Sequence, residues 1–84
     1  MNVGVQFTGT LGPQQKARWF TFGWPAGWHV AWHMMPTTPA IGAPEIEWDV
    51  EVERADPNNI TYWLTVQNFT NSTVNFEGRY AVLN

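Results

Sequence analysis

The chain has 84 residues, a net charge of −3 and no cysteine. This bounds it to one small domain, residues 1–84, without a disulfide framework, a thiolate metal site or a cysteine nucleophile. Four Lys plus Arg cannot build a phosphate-tracking surface, which argues against nucleic acid as a partner, and single-stranded binding by aromatic stacking also needs a basic groove.

Stability must come from burial, and six Trp, five Phe and two Tyr supply large areas per residue. Association into a homo-oligomer would add more. Met1 to Leu11 has neither the charged region nor the apolar run of a signal peptide. No apolar run reaches the ~20 residues of a membrane span. The expectation is therefore a soluble chain, cytoplasmic as synthesised. The glycosylation-type triplets beginning at Asn59, Asn68 and Asn71 read as chance matches in a Thr- and Asn-rich β sequence.

Val3 to Thr8 alternates as a half-buried strand with Val3, Val5 and Phe7 inward, and Thr10 to Gln14 is a turn cluster. Lys16 to Pro36 holds four of the tryptophans and reads as a β-hairpin folded about Trp24-Pro25-Ala26-Gly27-Trp28. Pro at the first loop position and Gly at the third suit a three-residue loop with a G1 bulge. That loop pairs Trp24 with Trp28, Phe22 with Val30, Phe20 with Trp32 and Arg18 with Met34, which predicts Phe20, Phe22, Val30 and Trp32 as core. The opposite face would pair Trp19 with His33 beside Thr21, Gly23 and Ala31. Residues 36–44 hold three prolines and read as a stiff crossing loop.

Glu45 to Glu53 is the clearest strand, with Ile46, Trp48, Val50 and Val52 on one face and five carboxylates on the other. An Asp-Pro-Asn-Asn turn follows, then Ile60 to Asn68 with Ile60, Tyr62, Leu64 and Val66 inward. Val74 to Leu83 closes the chain, and Gly78 interrupts its inward set as a bulge would. Six short strands and no helical period predict an all-β fold, a small six-stranded antiparallel sandwich or a partly open barrel. The layout resembles immunoglobulin-like and fibronectin type III sandwiches in architecture, without a Cys-Trp-Cys signature.

Face parity suggests a register for the last three strands: Arg54 opposite Ile60, Val50 opposite Leu64, Glu51 opposite Trp63 and Asp49 opposite Thr65. Placing Phe69 opposite Thr73 would then set Trp63 beside Arg79, giving an outer row Glu51–Trp63–Arg79 with Asp49 adjacent. An indole flanked by carboxylates and a guanidinium can stack on a pyranose and bond its hydroxyls. Trp19 with His33 is a second candidate, and Trp24 at the hairpin mouth a third contributor. The leading expectation is a non-enzymatic binding module that recognises a glycan, with no cofactor. The alternative is an assembly protein whose exposed aromatics form a homo-oligomer or partner interface.

Three other chemistries fail on geometry. His29 and His33 on one strand would lie ~13 Å apart, too far to share an ion. The acidic ladder spaces same-face carboxylates ~7 Å apart in a line, without the cleft a glycosidase pair needs or the converging oxygens calcium needs. Ser72, the one serine, lies in a turn remote from both histidines.

Overall fold

The computed structural model of the chain describes residues 2–84. Six strands run in order: β1 (Asn2–Leu11), β2 (Lys16–Pro25), β3 (Val30–Pro36), β4 (Ile46–Asp56), β5 (Asn59–Asn68) and β6 (Val74–Val82). They form two three-stranded antiparallel sheets, β1-β6-β3 and β2-β5-β4, which face each other as a sandwich and do not close into a barrel. The chain changes sheet at every connection except the β4–β5 turn. That turn is held by the Asp56 carboxylate, which accepts from the backbone N–H groups of Asn58 (2.8 Å) and Asn59 (3.0 Å). Its β4–β5 register pairs Arg54 with Ile60, Val50 with Leu64, Glu51 with Trp63 and Asp49 with Thr65, as alternation predicts.

The expected β2–β3 hairpin does not form. β2 pairs with β5, and β3 pairs with β6 in the other sheet. The left-handed glycine is Gly23 (φ 81°), not Gly27, and the β2–β5 register slips between Thr21 and Trp24. This extra residue resembles a G1 bulge inside the strand rather than at its tip. It turns Trp24 inward on the same side as Thr21, whose hydroxyl accepts the indole N–H at 3.0 Å. Residues 25–29 then arch between the sheets. Ala26 N–H donates to the Asn58 carbonyl (2.9 Å), while the His29 carbonyl accepts from Leu83 N–H (2.8 Å).

The bulge inverts the expected faces of β2 relative to Trp24. Ala17, Trp19, Thr21 and Trp24 lie toward the core, whereas Phe20 and Phe22 are 57% and 74% exposed. Phe20 and Phe22 are therefore surface residues, not core. A second slip, between Val5 and Phe7, leaves Val3 and Val5 exposed and turns Phe7 inward opposite Gly78. Gly78 keeps the inward phase of Phe76 and Tyr80, so the bulge anticipated in β6 lies across from it in β1.

Two clusters fill the interior. Leu11, Met34, Leu64, Val66 and Phe76 form one, with Phe7, Trp19, Trp32 and Trp48 packed around them. Trp24, Ile60, Tyr62 and Val82 form the other, with Trp32 and Tyr80 against it. Edge-to-face contacts dominate the second, with Trp24 centred 5.3 Å from Tyr80 and 5.4 Å from Trp32. Asn68 ties the sheets at one end. Fully buried, its amide donates to the carbonyls of Leu11, Gly12 and Ser72, and its oxygen accepts from Thr70 N–H at 2.8 Å. Among the described residues no helix is long and apolar enough to cross a membrane.

Candidate functional site

The outer face of sheet β2-β5-β4 carries a contiguous group of aromatic side chains, Phe20, Phe22 and Trp63. Pairing of β2 with β5 sets Phe20 opposite Trp63 and Arg18 opposite Thr65. Pairing of β5 with β4 sets Glu51 on the other side of Trp63. The Phe20 and Trp63 rings are centred 5.1 Å apart, and Phe22 stacks on Phe20 at 6.3 Å. The Trp63 indole N–H donates to Glu53 at 2.7 Å, which fixes the ring in its plane. Arg18 lies over the indole at 4.4 Å and bonds Glu51 at 2.9 Å. Stacking and ion pairing thus hold one guanidinium across the central strand.

Arg79 is not part of this face. β5 and β6 lie in different sheets, so the row Glu51–Trp63–Arg79 is not formed. Arg79 stands on the outer face of sheet β1-β6-β3, opposite Val5 and His33, and pairs with Glu77 at 2.8 Å. Arg18 takes the position beside Trp63 that parity had assigned to Arg79. Asp49 does lie on the Trp63 face, next to Glu51 and opposite Thr65.

The second candidate also disperses. Trp19 points inward, stacked 6.1 Å from Phe7 and edge-on to Phe76 at 5.0 Å. Trp24 is 7% exposed at the centre of the aromatic core. His33 is exposed with its ring 5.4 Å from Trp48. It borders a shallow depression of about 650 Å³ whose lining includes Val3, Val5, Ala31, Arg79 and Ala81. No group of His, Cys, Asp or Glu among the described residues could hold a metal ion.

Sequence reasoning missed Arg18, Phe20, Phe22 and Glu53 as neighbours of Trp63. A usable signal was present, because Lys16 and Arg18 share the parity of Phe20 and Phe22. Two cations at alternate positions mark a solvent face, since an unpaired charge is costly to bury. Fold and surface together define a small antiparallel β-sandwich with one aromatic, charge-edged outer sheet face. No protein-family model, curated protein or solved structure matches the chain.

Proposed function

We propose that this chain is a binding module whose working surface is the outer face of sheet β2-β5-β4, used as a protein interface. The observation that supports it is the exposed, mutually stacked pair Phe20 and Phe22, continuous with Trp63 and Arg18. Phenylalanine has no polar handle to satisfy in water, and aromatic side chains with Arg are the types enriched where proteins meet. A photo-crosslinking residue in place of Gln67, on the same face of β5, tests the reading. Protein adducts should form and should disappear in the Phe20→Ser/Phe22→Ser variant. Adducts that persist unchanged in that variant would refute it.

Carbohydrate recognition is the second reading, favoured by the Trp63 indole standing beside Glu51, Glu53 and Arg18. It ranks second because the Arg18 guanidinium already covers a ring face that a pyranose would stack on. In this reading a glycan array gives sugar binding that Trp63→Ala abolishes and Phe20→Ser/Phe22→Ser retains.

A further inference from the structure

The outer face of sheet β2-β5-β4 is divided by charge. The β2 edge carries Lys16 and Arg18, and the β4 edge carries Glu47, Asp49, Glu51 and Glu53, with the uncharged residues Thr61, Trp63, Thr65 and Gln67 of β5 between them. Register aligns the two edges level by level. Lys16 pairs with Gln67, which pairs with Glu47; Arg18 pairs with Thr65, which pairs with Asp49. Among the described residues Lys16, Glu47 and Asp49 make no ion pair and no side-chain hydrogen bond. Three of the four aligned charges are thus without partners inside the chain, and the fourth, Arg18, is paired with Glu51.

We infer that the partner of this face is a second copy of the chain, related by a two-fold axis running along β5. This rests on the interface reading and specifies its occupant. Rotation about that axis exchanges the β2 and β4 edges but keeps the level along the strands. Lys16 of each copy then meets Glu47 of the other, and Arg18 meets Asp49. Trp63 of one copy lies over Trp63 of its mate. An isologous contact requires a patch complementary to itself, and a basic edge and an acidic edge at matched levels satisfy that for this axis. A two-fold axis across the strands would instead lay acidic edge on acidic edge, which like-charge repulsion opposes.

Sedimentation velocity across a dilution series reads the association. The wild-type chain should dimerise, more weakly at high salt. Lys16→Glu/Arg18→Glu makes both edges acidic, and Glu47→Lys/Asp49→Lys makes most of the face basic. Each variant alone should self-associate on the order of a hundredfold more weakly, since four edge pairs are lost per dimer. Mixed one to one, they should form a heterodimer, because each supplies the charge the other lacks. A mixture that stays monomeric overturns the inference.

A second variant does not depend on the charge changes. The chain has no cysteine, so Thr65→Cys labels one site close to the axis. Facing sheets pack ~10 Å apart, beyond disulfide reach but within that of a short bismaleimide. Thr65→Cys should give a covalent dimer, whereas Val3→Cys on the other sheet should not. Equal dimer from both positions overturns the inference. A monomeric wild type whose Gln67 adducts are to other proteins overturns the second copy and leaves the interface reading standing.

Discussion

Replacing Gly78 by Ala should loosen the junction that sets the inner face of β1. An alanine Cβ there would come within 2.8 Å of Phe7 Cδ1 and nearer still to the far edge of the same ring. The ring has little room to retreat. It stacks on Trp19 at 6.1 Å and meets Phe76 edge-on at 6.1 Å, and its backbone is held opposite Gly78 after the slip at Val5. Overpacking of this kind costs roughly 1–3 kcal/mol. In a domain of this size each kcal/mol shifts Tm by about 4–8 °C, so Gly78→Ala should melt roughly 5–20 °C below wild type. Near-UV circular dichroism follows the loss of aromatic packing directly. Phe7→Leu shortens the ring that clashes, so in the double variant the two penalties should fall short of additivity by about 1 kcal/mol or more. A Gly78→Ala melting point within about 2 °C of wild type, or additive penalties, would refute the reasoning.

Asn68→Asp should cost roughly 3–4 kcal/mol, because a carboxylate oxygen would replace the buried amide that donates to the Leu11, Gly12 and Ser72 carbonyls; urea unfolding at neutral pH measures it. Backbone donation from Asn58 and a hydrogen bond from the Asn59 side chain hold the Asp56 carboxyl below its ordinary value of 3.8. A lowered folded value gives stability that is present above pH 3.8 and is lost as pH falls through the folded value. Asp56→Ala should therefore be less stable than wild type at neutral pH, and the difference should shrink in acid, as thermal melts at several pH values would show.

How much of this molecule alternation alone determines is clearest in β4 and β5. Their turn, their register and the inward set of β5 follow from the sequence, because one face of each strand is apolar and a one-residue slip would bury charge. In β4 only Ile46 and Trp48 reach the core, and Val50 and Val52, expected inward with them, are 39% and 65% exposed. The all-β class follows from six such segments without helical periodicity, and the two-sheet arrangement decides for a sandwich over the partly open barrel. Glu51 and Trp63 were accordingly legible as neighbours. Local pattern could not assign strands to sheets. Pro25-Ala26-Gly27 is as compatible with a sheet-crossing arch as with a hairpin, and parity accepts either partner for β2. Packing of Trp24 among Trp32, Tyr62 and Tyr80 and the Asn68 hydrogen bonds that span both sheets favour the arch. Two bulges, at Val5–Phe7 and Thr21–Trp24, then reverse which residues face inward. Only with β2 laid beside β5 do Arg18, Phe20 and Phe22 join Trp63 on one surface, because that neighbourhood is a property of strand pairing and not of any one strand.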